Sequence, residues 1–378
     1  MKVRSPALLL LVTLGCAASW RTVAVYEGWS LHERNRPSLD AGLWASEVEP
    51  ARQAVVDWLG PFEEAVRVHA LEAPVHLSED GRSVVHAAEA SQPVPGMGTA
   101  TIKGYHTRST SASDSGVFVQ EADSGTLVHE LVHARLAELE PDLPLWFEEG
   151  VACLLADGLV VEGRWVRDGF SAWPWVELRA SRPRPLELER VLARSSNEPM
   201  GVRENVLAHL VGWALVFDLW RETRSDSWQD WFEAFDWEHP LVDAQRRLDR
   251  VLSPAVPAGW LRARLASPSQ PVRLAALRGA WKLASPETGA ALLAALELEI
   301  DPEVRASLAV NLLASGPALA ADAAGLRQAH EEARRALEAV ELPRVDEAGA
   351  ARALCRSLRG GPGDPDVALE GLRRFWDE

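Results

Sequence analysis

The stretch Thr126-Leu127-Val128-His129-Glu130-Leu131-Val132-His133 governs how the rest of the chain is read. Residues four apart share one face of a helix, so the imidazoles of His129 and His133 can reach a single ion from adjacent turns. Glu130 is rotated about 100° from His129 and stands beside such an ion, where it can bond a water held there. Thr126, Leu127, Val128, Leu131, Val132 and Ala134 are uncharged or apolar, as a helix crossing the floor of a cleft requires. The periodicity predicts a helix over residues 126–138.

A second helix is predicted over residues 145–157, within Leu143-Pro144-Leu145-Trp146-Phe147-Glu148-Glu149-Gly150-Val151-Ala152. It supplies carboxylates. A catalytic zinc site takes three protein ligands and keeps one position open, and in peptidases two histidines and a glutamate commonly serve. Adjacent helical residues point about 100° apart, so only one of Glu148 and Glu149 is expected to face the histidines. The faces overlap, and spacing alone does not choose between them.

Taken together, the two motifs resemble the gluzincin zinc metallopeptidases. These share a thermolysin and aminopeptidase-N-like core with a Trp-x-x-Glu-Gly sequence, and the bacterial peptidase-MA-like proteins are most similar. The resemblance runs from about Gly116 to Phe235, with Trp146 at the Trp position and Glu149, before Gly150, at the ligand position. It implies one zinc ion held by His129, His133 and Glu149, and hydrolysis of a peptide or protein substrate by a metal-activated water with Glu130 as general base. His209, opening His209-Leu210-Val211-Gly212-Trp213, matches a position where Tyr is common, which implies a donor to the transition-state oxyanion. A histidine on an apolar helix face, satisfied by a backbone carbonyl, is the alternative for His209. The segment 116–120 is expected as the edge strand to which an extended peptide adds.

Two residues depart from the pattern. Cys153 stands where related sequences often carry an acid bonded to a ligand histidine, and Asp157, one turn on, is a candidate substitute; Arg135 replaces an apolar residue. The Cys153 departure gives the alternative function: a catalytically weak or inactive zinc-binding surface protein acting as a scaffold through its C-terminal helices.

Outward from the motifs, a helix is predicted over 47–59, stopped by Gly60-Pro61, while 20–46 show little periodicity. Segments 65–71, 74–77 and 116–120 are strand candidates for a small N-terminal sheet, and the polar run 109–115 reads as a loop. Helices are predicted over 202–223 and 228–235, the latter carrying a core stripe of Trp228, Trp231, Phe232 and Phe235. Trp173-Pro174-Trp175 reads as a loop that lines a substrate cleft.

Beyond Ser253-Pro254 the composition shifts to Ala, Leu and Arg. Pro271-Val272-Arg273-Leu274-Ala275-Ala276-Leu277 recurs as Pro302-Glu303-Val304-Arg305-Ala306-Ser307-Leu308, a shift of 32 residues, and Asp364-Pro365-Asp366-Val367-Ala368-Leu369 begins a further copy. These segments resemble short HEAT-like repeats, with an Ala-rich bundle as the alternative. The fold class is therefore α+β: residues 19–252 form the metallopeptidase domain, and residues 253–378 an all-α region whose helices can take a protein partner.

The chain's 378 residues suit two domains, and 47% hydrophobic with 25% charged residues is ordinary globular composition. A net charge of -16 without a basic stripe excludes a phosphate-backbone footprint, so nucleic acid is not an expected partner. Lys2 and Arg4, an apolar run over 6–14 and small residues at 15–18 read as a signal peptide over 1–18, which implies export. The run is too short for a lasting anchor, since spanning takes about 20 residues. Thr13-Leu14-Gly15-Cys16 resembles a lipobox, which implies membrane attachment through a lipidated Cys16; cleavage after Ala17 or Ala18 is the alternative. Cys153 and Cys355, the other two cysteines, make no disulfide framework.

Overall fold

The computed structural model describes residues 21–33, 40–71, 75–78, 84–86, 97–102, 104–107, 116–119, 122–167, 170–195, 202–277, 280–283 and 285–314. The signal and lipobox segment, the loop over 109–115, the third repeat copy and Cys355 lie outside them. The fold is α+β, with a small N-terminal sheet and a mostly helical remainder. The chain divides into two compact units, Met1–Val251 and Leu252–Glu378.

In the first unit, strands β1 (Arg21–Tyr26), β2 (Trp29–Glu33), β3 (Val66–Ala70), β7 (Gly104–Thr107) and β8 (Gly116–Val119) form one sheet in the order β1-β2-β3-β8-β7. The three central strands run parallel, and β1 and β7 pair antiparallel at the two sides. Val66, Val68 and Ala70 alternate with Arg67 and His69 in β3 and are buried, while Val117, Phe118 and Val119 make β8 a continuous buried apolar run, as a strand covered on both faces requires. Helix α1 (Ala41–Leu59), begun by the Asp40 side chain accepting from Gly42 and Leu43, connects β2 to β3. A separate three-stranded sheet holds β4 (Val75–Ser78), β5 (Val84–His86) and β6 (Met97–Ile102).

Two expectations change here. The stretch without periodicity contains the β1–β2 hairpin, turned at Gly28 with φ 78°. Strand β8 is interior, between β3 and β7, so the edge strand is Gly104–Thr107. Sheet order depends on pairing between residues distant in sequence, and a short apolar strand carries no mark of its place in it.

Helix α2 (Ser124–Leu139) begins where the Asp123 carboxylate accepts from the Thr126 amide at 2.9 Å. Its apolar face, including Leu127, Val128, Leu131, Val132 and Leu136, is buried. Arg135 is buried as well, with its guanidinium donating to the Leu59 carbonyl at 3.3 Å and to Glu138 at 2.8 Å. Its partners explain how a charge replaces an apolar residue at that place.

Helix α3 (Leu145–Ala156) crosses α6 (Val202–Thr223) backbone against backbone. A Cβ on Gly212 would lie 2.1 Å from the Trp146 carbonyl oxygen, and one on Gly150 would lie 2.3 Å from that of Gly212. Only hydrogen fits at either place. Between these helices come a hairpin of β9 (Gly158–Val161) and β10 (Arg164–Arg167), then α4 (Ala172–Ala180) and α5 (Pro185–Leu192). The hairpin turns on Glu162 and Gly163, both at positive φ, as a two-residue type I′ turn demands.

Trp173-Pro174-Trp175 lies in α4, where a first-turn proline lacks no needed amide, and forms no loop. Trp175 is core: it is 1% exposed and its Nε1 donates to the Val251 carbonyl. The stripe of α7 (Trp228–Glu233) buries Trp228 and Trp231, and its Phe232 packs edge-on against Phe147. Arg247 of α8 (Pro240–Val251) is 1% exposed and donates to Asp243, Asp218, Glu222 and the Ala234 carbonyl, tying α8 to α6.

The second unit contains α9 (Ala255–Leu265), α10 (Gln270–Leu277), a 3-10 turn at Ala280–Leu283, α11 (Pro286–Leu298) and α12 (Pro302–Ala314). Helix α11 packs on α9 and α12 on α10, so like members of successive pairs face each other. Among the described residues no helix is long and apolar enough to cross a membrane.

Candidate metal centre

Two helices bring the predicted ligands together. The α2 cap starts the helix in a register that turns His129 and His133 toward α3, and the glycine crossing lets α3 and α6 approach closely beside them. The nearest ring nitrogens, Nε2 of each histidine, stand 3.1 Å apart. Glu149 Oε2 lies 3.5 Å from His129 Nε2 and 3.4 Å from His133 Nε2. Bonds of about 2.0–2.1 Å to a tetrahedral ion put ligand atoms about 3.4 Å apart, and these three edges match.

The Glu149 oxygen is buried and has no hydrogen-bond partner, although His209 Nε2 approaches to 3.0 Å. Without a metal the charge of this oxygen is offset by His209 and His133, and a cation at the centre of the three atoms would take over that part. The residues therefore fit a metal ion, and His129, His133 and Glu149 are the group that could hold one.

The other ring nitrogens show how the histidines are oriented. His133 Nδ1 donates to Glu148 Oε1 at 2.8 Å, which turns Nε2 toward the centre as the atom a metal would take. Glu148 thus does not face away from the cluster. Motif spacing missed it; the signal available was its place directly before the ligand, one helical step from the same histidines. His129 Nδ1 lies 4.0 Å from Cys153 Sγ, a weak contact. Asp157 is the C-cap residue of α3 and lies near enough to raise the pKa of the Cys153 thiol, chiefly raised by burial.

His209, on α6, makes the backbone-carbonyl bond of the packing alternative and also stands beside the cluster. Its Nδ1 donates to the Asn205 carbonyl at 2.9 Å, and its ring stacks on that of His129 at 5.4 Å with Nε2 toward Glu149. Burial opposes its protonation, but Glu149 outweighs burial and raises its pKa.

Charge is distributed unevenly. Burial lowers the His129 pKa to about 4, while His133, also opposed by burial, is held well above its ordinary value by Glu149 and Glu148. Glu149 stays well below the carboxylate range because His209 and His133 overcome its burial. Glu130, 7% exposed, is pushed up by burial to about 7. Burial thus favours the protonated form of Glu130 in the metal-free protein.

Compared with known proteins, the chain matches no family model, no curated protein and no solved structure.

Proposed function

We propose that the chain is an exported zinc-dependent peptidase of the gluzincin type. The observation that carries the reading is the convergence of two Nε2 atoms and one carboxylate oxygen at 3.1–3.5 Å, with Glu130 buried on the same helix. His129, His133 and Glu149 would hold zinc, which when bound supplies electrophilic activation of a water and of a substrate carbonyl. Glu130 accepts the proton of the attacking water and returns it to the leaving amine. His209 donates from Nε2 to the oxygen on which negative charge develops. Strand β7 offers its free edge to an extended peptide by main-chain hydrogen bonds.

The same reading covers the ends of the chain. The leader read over 1–18 and the lipobox-like Cys16 support a bacterial cell-envelope lipoprotein, otherwise a periplasmic or secreted protein. Stacking of α11 on α9 and α12 on α10 supports HEAT-like pairs that can take a protein partner.

Zinc content and cleavage of a peptide library by wild type and Glu130→Gln test the proposal. Wild type should carry one zinc and cleave, while Glu130→Gln should keep its zinc and lose about 10²–10⁴-fold in turnover. A metal-free wild type, or one that cleaves nothing, overturns the peptidase reading. One observation favours a second reading, a zinc-binding scaffold: the thiol of Cys153 rather than a carboxylate stands by His129 Nδ1. Zinc bound without cleavage is its signature.

A further inference from the structure

A cavity of about 220 Å³ lies between the start of α3, helix α5 and the first turns of α6. Sites for whole small molecules run about 300–1,000 Å³, so this one suits a single side chain or chain end. Its apolar lining comes from Leu145, Leu186, Val191 and Leu207. Leu145 shares a face of α3 with Glu149 one turn on, and Leu207 and Ala208 directly precede His209 on α6. The cavity is thus built on the same two helices, α3 and α6, that carry Glu149 and His209.

The charges around the cavity are unbalanced. Arg184, Arg190, Arg194 and Arg203 line it against Glu187 and Glu204. Glu187 pairs with Arg184 at 3.0 Å and Arg203 at 2.7 Å, and Glu204 pairs with Arg194 at 2.9 Å. Arg190 has no ion pair among the described residues and is exposed beside the opening. Among the described residues the lining has four arginines to two glutamates, which runs against the general acidity of a chain of net charge -16. Guanidinium groups over an apolar pocket match a carboxylate on an aliphatic stem, which they bond in a fork.

We propose that this cavity binds a carboxylate carried on an apolar stem, presented by a peptide substrate as an acidic side chain or a free C-terminus. The peptide source rests on the peptidase reading; the carboxylate chemistry does not. Two experiments separate them.

The first titrates full-length protein with 4-methylpentanoate and 4-methylpentanamide and follows binding by ligand-detected NMR. The acid should bind saturably and at least tenfold more tightly than the amide, and Arg190→Gln with Arg203→Gln should abolish that preference. No saturable binding of the acid, equal binding of the two, or a preference unchanged in the double variant overturns the proposal. The second measures cleavage of acetylated heptapeptides with Glu or Gln at each position in turn, with free or amidated ends. Preference for Glu at one position assigns the side chain, and preference for the free end assigns the terminus. If wild type cleaves none while the acid binds, the peptidase reading fails and the carboxylate site stands.

Discussion

Glu148 accepts a hydrogen bond from His133 Nδ1 at 2.8 Å, so the residue beside the candidate ligand Glu149 orients a histidine of the same cluster. Two neighbouring carboxylates therefore serve one site in different ways. Glu149 presents an oxygen to the centre, and Glu148 fixes the tautomer of a ring that does the same. Glu149→Ala should yield protein with little bound metal, whereas Glu148→Ala should still bind zinc with affinity reduced about 10–100-fold. Competition with a chelator measures both. Equal affinities for wild type and Glu148→Ala would remove Glu148 from the site.

His209→Ala should lower turnover about 10²-fold or more while zinc content is unchanged. His209→Tyr, which can also donate a hydrogen bond, should recover most of that loss. Turnover unaltered in His209→Ala would leave the residue with packing and its bond to Asn205 alone.

Arg247 is 1% exposed and surrounded by acids, so Arg247→Ala removes the one buried cation that Asp243 and Asp218 share and leaves them to the more exposed Arg246 and Arg250. Chemical denaturation should show a loss of about 3–5 kcal/mol. Arg250, which also reaches Asp218 but is 41% exposed, should cost under about 1 kcal/mol as Arg250→Ala. Similar losses for the two variants would contradict the role given to burial.

Asp243 fixes the sign of one pH effect. Its burial would raise its pKa, but the bonds from Arg247, the Asp236 amide and Arg246 outweigh burial and lower it. A group whose folded pKa lies below its unfolded value, about 3.9 for Asp, stabilises above that value and loses the contribution as pH falls through the folded pKa. In urea titrations this share of stability should be constant above about pH 5 and decline below about pH 4. Asp243→Asn should be less stable at pH 7 and lose less on acidification. Parallel stability curves for the two proteins would refute the linkage.

The parts of the fold that are local in origin were legible. Apolar spacing gave α2, α3 and α6, with α6 spanning the expected residues, and the ligand cluster followed from i and i+4 positions on one helix and a carboxylate on the next. What depended on distant pairing was not legible. Gly104–Thr107 is the edge strand although nothing in Gly-Tyr-His-Thr announces it. Trp173 and Trp175 looked alike in sequence, but one is 49% exposed and the other is held by the carbonyl of Val251, far along the chain. Glu148 was misplaced because a 100° rotation describes the backbone, while a glutamate side chain can swing back toward a ring one turn away. The arginine-lined cavity is assembled from three helices, and no single segment carries its pattern.

The crossing of α3 and α6 sets a standard of length for the centre. Gly150 follows Glu149, and Gly212 lies three residues from His209, so the point where the helices touch adjoins a candidate ligand and the candidate donor. Side chains in an ordinary helix contact can change rotamer and let the helices drift when the core is varied. Here a carbonyl meets a glycine, and separation is set by van der Waals contact of backbone atoms, which have no rotamer to change. Two residues without functional atoms thus act as the gauge for the chemistry. They are the positions where one added methyl group should be least forgiven, while the apolar residues around them are free to vary.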